Sequence, residues 1–299
     1  MTVLLALITV VSWGTWIPTS QVVPGVPQRV RTLYAGIGNL VLASCALVAG
    51  GGHLSLGWRQ FWLPLVGGAV WTAGSVAAFR ATATIGLARA AGTWTPLNII
   101  ASFVWGALLF GELNRLGATR FAALGAGLVI VLIGVLLIVG SQDPVGPDVS
   151  TEPGRVGTFG RGIIWATVAG VLWGSYFVPA QWAKVPALVG NFPLALGILA
   201  AGLALTLRGG VPVRLGPKVT AVQLTAGLLF GIGDLALLSL VGRVGTGVGF
   251  TIAQLSLLVN AGIGMWVFKV PKPGSRASRR VLVGILVAGS GGVLIGILR

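Results

Sequence analysis

One acidic residue, Asp234, lies well inside an apolar run, in Phe230-Gly231-Ile232-Gly233-Asp234. If that run crosses a bilayer, an ionised carboxylate there costs about 2.5–3.5 kcal/mol on insertion scales, so it should face a cavity or a partner. Two functional roles fit a carboxylate so placed: coupling to protons, or accepting the hydroxyls of a bound solute. The plainer alternative is a protonated Asp hydrogen-bonded between helices. Trp13, Trp16, Trp71, Trp94, Trp105 and Trp173 also lie within apolar runs, and Trp13-Gly14 and Trp173-Gly174 each precede a small hydroxyl and a second aromatic, Trp16 or Tyr176. Aromatic faces can stack on the apolar face of a sugar or a base while amides hydrogen-bond its polar edge. The candidate substrate-binding set is therefore Trp13, Trp16, Gln21, Asn39, Trp71, Trp94, Asn98, Trp173, Tyr176, Gln181, Gln254 and Asn260, with Asp234 as the coupling residue. Thr95, Asn191 and Ser256 are nearby polar candidates. For each amide and indole the alternative is ordinary interhelical packing.

Several chemistries are excluded. Gly231-Ile232-Gly233-Asp234 spells the Gly-x-Gly-Asp of intramembrane aspartyl proteases, but those need two carboxylates sharing a proton, and no second acid lies inside an apolar run. The single histidine, His53, sits in a Gly-rich turn, so no His-based metal or nucleophile set can form at depth. No Gly-x-x-x-x-Gly-Lys-[Ser/Thr] loop is present for direct ATP drive. An enzyme is not expected, nor a metal or other cofactor.

Those residues must be held by elements suited to lipid. Of the 299 residues, 55% are hydrophobic and only 8% charged, a surface that water cannot solvate and a bilayer can. Apolar stretches fall at about 2–20, 32–50, 61–83, 91–111, 120–140, 162–182, 187–207, 219–241, 246–268 and 281–298, each long enough to span. An all-α membrane protein of ten transmembrane helices is the expectation. The first stretch has no basic n-region or small-residue cleavage site and is expected to be a span, not a signal peptide. Pro18, Pro96 and Pro179 are expected to kink their helices. Trp58, Trp62 and Trp182 fit interfacial belts. Cys45 is expected to be a small packing residue; as the only cysteine, it forms no internal disulfide.

The net charge of +15 does not imply nucleic acid, because the basic residues are scattered over short turns without an aromatic-interleaved stripe. The partners expected are a small-molecule substrate and the lipid bilayer, with the protein a monomer or homodimer. A stripe of Gly284, Ala288, Gly292 and Gly296 suits close helix contact, within the bundle or across a dimer. Arg80 is deep enough to meet an anionic substrate or to snorkel to the interface, where Arg89 should lie. With the N-terminus inside, loops on its side carry Arg59, Arg115, Arg120, Lys184, Arg243 and Arg299, while the other side holds most of the remaining cations, including Lys269 to Arg280. The positive-inside rule then favours both termini outside.

The long hydrophilic stretch 141–160 carries Asp143, Asp148 and Glu152 and divides the chain into residues 1–140 and 161–299. The halves repeat. Trp13-Gly14-Thr15-Trp16 through Gln21 matches Trp173-Gly174-Ser175-Tyr176 through Gln181; Trp71 to Ser75 matches Phe230 to Asp234; Gly106 to Phe110 matches Gly264 to Phe268, all at an offset near 159. Gly38-Asn39-Leu40 is echoed more weakly by Gly190-Asn191-Phe192. Five spans per half is an odd number, so the second half enters from the opposite side and the two form an inverted repeat. That is a plan of secondary transporters, with the substrate near the midplane where the halves meet. Asp234 breaks the symmetry, because its counterpart is Ser75.

Through these motifs the chain resembles the drug/metabolite transporter superfamily, whose members have ten spans from a duplicated five-span unit. Trp-Gly-[Thr/Ser]-aromatic with a following Pro, and Gly92-Thr93-Trp94-Thr95-Pro96-Leu97-Asn98 leading to Ser102-Phe103-Val104-Trp105-Gly106 and Phe110-Gly111-Glu112, look like its glucose/ribose porter and related carbohydrate-transporter branch. The resemblance covers nearly the whole chain. It implies a secondary active transporter of small polar solutes, foremost sugars, working by alternating access with possible proton coupling, in a bacterial plasma membrane. The alternative it carries is an exporter of amino acids, nucleobases or cationic drugs. It also implies cytoplasmic termini, opposite to the charge count.

Overall fold

The computed structural model describes residues 1–51, 56–85, 87–112, 114, 117–140, 158–210, 213–269 and 271–297, and among these all regular structure is helical. In chain order the helices are α1 (Thr2–Gln21), α2 (Gln28–Ala49), α3 (Trp58–Ile85), α4 (Leu87–Leu108), α5 (Ala118–Val139), α6 (Thr158–Trp173), α7 (Val178–Trp182), α8 (Ala187–Arg208), α9 (Pro217–Val244), α10 (Thr246–Gln254), α11 (Ser256–Trp266) and α12 (Arg276–Ile297). The divider's acids, together with His53, Arg115, Arg299 and the Arg89 side chain, lie outside the described residues.

Apolar sequence sets the helices, and proline and glycine punctuate them. α2 and α8 start after Pro27 and Pro186, and α9 carries Pro217 at its first turn, where a missing N–H costs nothing. Gly50, Gly140 and Gly209 close α2, α5 and α8. Gly245, at φ 89°, is the whole connection between α9 and α10. Its left-handed backbone suits glycine best. Among the described residues, nine helical segments are long and apolar enough to cross a membrane; α4, at 22 residues, is not one of the nine.

Two of the expected continuous spans are broken. The sixth stretch stops at Trp173, turns through 174–177 and resumes as α7. Pro179 has no N–H to return to the Ser175 carbonyl, which takes the Val178 N–H instead at 3.0 Å. The ninth stretch breaks at Leu255, where Leu255 N–H bonds the Ile252 carbonyl at 3.0 Å in a tightened turn. α1 and α4 remain continuous helices through Pro18 and Pro96.

α1 packs on α9 and α11, α2 on α8 and α9, α3 on α6 and α8, α4 on α6 and α10, and α5 on α12. Glycines let the backbones meet. A methyl on Gly38 would strike Gly227 of α9, and one on Gly68 would meet Gly197 of α8. In the α5–α12 pair, Gly127 faces Gly291 and Ile295, while Gly284 faces Gly134 and Ile138. Ala288 also faces Gly134, and Gly292 faces Leu255 of the α10–α11 break, so this part of the small-residue stripe packs within the bundle. Cys45 departs from expectation: it is exposed on α2. Trp58, Trp62 and Trp182 are 76%, 42% and 62% exposed. The main core gathers Trp71, Tyr176, Phe177, Phe230 and Phe250, with Trp13, Trp16 and Trp173 packed against it.

Candidate functional site

Asp234 is fully buried, two-thirds of the way along α9. The Tyr176 hydroxyl, from the α6–α7 break, donates to its Oδ1 at 2.6 Å. Asn39 Nδ2, from α2, donates to Oδ2 at 3.3 Å. Asn191 Nδ2, from α8, donates in turn to Asn39 Oδ1 at 3.2 Å. This chain of four side chains joins elements from both halves, and all four are at most 1% exposed. The two asparagines are the weakly echoed pair of the sequence, now in direct contact. Asn191 Oδ1 has no hydrogen-bond partner.

Both recorded partners of the carboxylate are neutral donors, an arrangement that suits an ionised acceptor. A phenol hydroxyl can also rotate and accept, so the Asp234–Tyr176 pair can hold either protonation state without moving a heavy atom. Ser75, the counterpart of Asp234, is buried and donates to the Trp71 carbonyl at 3.1 Å, a bond within its own helix.

An aromatic cluster adjoins the carboxylate. Trp16 lies 5.1 Å from Phe230 and Trp71 4.8 Å from it, centroid to centroid; Trp13 packs edge-on against Phe250 at 6.1 Å. Each tryptophan of the repeated Trp-Gly pair lies over a glycine of the other half: Trp13 over Gly233 of α9, Trp173 over Gly74 of α3. Trp173 Nε1 donates to the Trp71 carbonyl at 3.1 Å, whereas Trp13 Nε1 is buried without a partner. Trp94 packs edge-on against Trp173 at 5.5 Å. Close by, Asn98 Nδ2 approaches Gln254 Oε1 at 3.5 Å, and Asn98 Oδ1 has no partner.

The structure thus brings Trp13, Trp16, Trp71, Tyr176, Asn39 and Asp234 together, and sets Trp94, Trp173, Asn98 and Gln254 beside them. Thr95 is buried on α4. Two candidates stand apart: Gln21 is exposed at the end of α1, and Gln181 accepts the Thr246 hydroxyl at 2.8 Å at one end of the bundle. Asn260 is half-buried on α11, whose Val259 meets Gly14 of α1. Arg80 is exposed on α3, with its guanidinium 4.6 Å from the Trp165 ring centroid.

Sequence reasoning passed over two polar anchors. Glu112, in a quoted motif but given no role, accepts the backbone N–H groups of Thr246 and Gly247 and caps α10. Gln223, 1% exposed on α9, accepts the Ser20 hydroxyl at 2.7 Å and donates to the Ser20 carbonyl at 2.9 Å. Gln223 was findable as an amide inside an apolar run.

Across residues 4–298 the chain matches the sequence profile of a family described as sugar transport protein. The chain belongs to the sugar transport protein family. This family lies in the glucose/ribose porter branch of the drug/metabolite transporter superfamily, as the motifs suggested. Relatives include a putative sugar uptake protein of Listeria innocua, 24% identical over 297 residues and covering 99% of both chains. The glucose uptake protein GlcU of Bacillus subtilis is also 24% identical, over 99% of this chain and 98% of its own. One crystal structure superposes with a TM-score of 0.70 at 17% identity, covering 99% of this chain and 98% of that one. That likeness concerns the fold alone. With its spanning helices, this member of the family is an integral membrane protein.

Proposed function

We propose that the protein is a secondary active transporter of neutral sugars in a bacterial plasma membrane, working by alternating access with proton coupling at Asp234. The observation that carries this reading is the sealed carboxylate, held by neutral groups from both halves beside an aromatic cluster. A sugar needs aromatic faces and amides, which the site has. A cationic drug would need the carboxylate as open counter-charge, and this one is fully buried behind Tyr176 and Asn39. The names of the relatives, sugar uptake and glucose uptake proteins, point the same way.

The scaffold in this reading has ten crossings, with α6–α7 and α10–α11 each counted as one and α4 included, arranged as two inverted five-helix repeats. The contacts recur in support of it. Gly38 against Gly227 and Gly197 against Gly68 are related by the sequence offset near 159, as are Trp13 over Gly233 and Trp173 over Gly74. Gly14 against Ser256 and Val259 matches Gly174 against Asn98 and Ala101. Similar halves in opposite orientations would give the two access states comparable energies.

The test is flux in liposomes reconstituted with purified protein. Saturable uptake of a monosaccharide such as glucose or ribose, driven by a proton gradient, is expected. Saturable transport of amino acids or quaternary amines with no sugar flux would overturn the sugar assignment; sugar flux indifferent to the gradient would overturn the coupling.

A further inference from the structure

Two cavities lie toward opposite ends of α8. One, of about 120 Å³, is bounded by Arg29, Thr72 and Arg80, with Gly202 and Leu205 of α8. The other, of about 560 Å³, opens where the end of α4 meets the α7–α8 and α9–α10 turns, against Ala187 and Gly190 at the start of α8. Its volume falls in the usual range for small-molecule pockets. Lys184 and Arg243, both exposed, stand at its mouth, and Leu238 and Gly190 form its floor. Leu238 is one turn beyond Asp234 on α9, and Gly190 directly precedes Asn191, whose buried Oδ1 is unpartnered. The floor therefore adjoins the buried polar chain.

The walls carry Phe110, Glu112, Gln181 and Thr246. Glu112 caps α10, and Thr246 donates to Gln181 Oε1. These bonds leave lone pairs on the Glu112 carboxylate, and among the described residues Gln181 Nε2 has no recorded partner. A carboxylate acceptor, amide, ammonium and guanidinium donors, and one aromatic face suit a ring whose hydroxyls both donate and accept.

The far end of α9 is closed by different chemistry. Ser20 and Gln223 exchange two hydrogen bonds between α1 and α9, and Arg31 clamps the α1–α2 turn by donating to Ser20 Oγ at 2.9 Å and to the Val23 carbonyl at 2.8 Å. One end is latched while the other holds the larger cavity.

We propose that the 560 Å³ cavity is a vestibular sugar site, distinct from the central aromatic site, which receives a neutral polyhydroxylated ring at the Gln181 end before it passes inward. The proposal rests on the reading of the chain as a sugar transporter. Its signature is one-sidedness, because the residues of this wall lie together at one end of α9.

The test uses proteoliposomes in which orientation is fixed by capture through a terminal tag, with half-saturation for glucose measured from each face. Gln181→Leu is expected to raise KM several-fold from the Gln181 face only, with kcat from that face little changed and kcat from the opposite face lowered in proportion, as detailed balance requires. Gly242→Trp provides a second route: Gly242 lines the cavity, and a side chain added there meets no atom within 4 Å at its Cβ. An indole begun from that open Cβ would narrow the cavity, and it too should raise KM from that face alone. Equal shifts from both faces, or none in folded Gly242→Trp protein, would overturn the vestibular site while leaving sugar transport intact. Wild-type protein that moves no sugar would remove the transport reading itself, and the vestibule with it.

Discussion

Asp234 accepts hydrogen bonds on both oxygens from residues that sequence places far away, Tyr176 and Asn39. Removing one donor leaves a buried acceptor unsatisfied, which costs about 1–3 kcal/mol. Tyr176→Phe is therefore expected to lower the melting temperature of the detergent-purified protein and to weaken gradient-driven uptake. An unchanged melting temperature and unchanged uptake would mean that the hydroxyl contributes to neither. Asp234→Asn keeps the shape of the side chain but cannot exchange a proton. It should abolish gradient-driven accumulation while sugar–sugar exchange across the membrane persists. Full accumulation by this variant would rule out Asp234 as the coupling residue.

Helix contact in this protein depends on missing side chains more than on interlocking ones. Lipid gives no hydrophobic reward for pressing two apolar helices together, so close backbone approach and packing must supply the association. The α5–α12 pair is the clearest instance, because a methyl at Gly134 would collide with the backbone of Ala288. Gly134→Leu should force the helices apart and destabilise the protein by about 1–3 kcal/mol, the usual cost of overpacking. Gly125→Ala on the same helix is the control, since its new methyl has nothing within 4 Å. Thermal unfolding of both variants should separate them; a Gly134→Leu protein as stable as Gly125→Ala would show that close approach at Gly134 does not hold the pair together.

At the scale of the molecule, the latch between Ser20 and Gln223 and the cavity at the other end of α9 suggest that opening and closing are shared between two ends built differently. A short bifunctional thiol reagent joining cysteines at positions 20 and 223 should stop both net flux and exchange, with sugar binding from the Gln181 face retained. The native Cys45 is exposed and would be replaced by serine first. Transport that continues after quantitative cross-linking would show that this seam need not part.

The positions of the helices were legible in the sequence because the hydropathy demanded by lipid is local: eight of the ten apolar runs became single helices within about five residues of their expected ends, and the sixth and ninth each became two. The recurrence of Trp-Gly-hydroxyl-aromatic and its offset were equally legible, and the tryptophans it marked at 13 and 173 do face glycines of the opposite half. The break in the sixth stretch had a visible cause in Pro179, whereas that at Leu255 had no such signal. What the sequence could not decide was which polar groups meet. Asp234 stood out as costly, but its attachment to Tyr176 and, through Asn39, to Asn191 depends on how four elements are rotated and which of them touch. The same holds for Glu112 on the α10 N-terminus and Gln223 on Ser20. A buried charge announces its expense in one dimension; its partners are chosen only when helices far apart in the chain pack side by side.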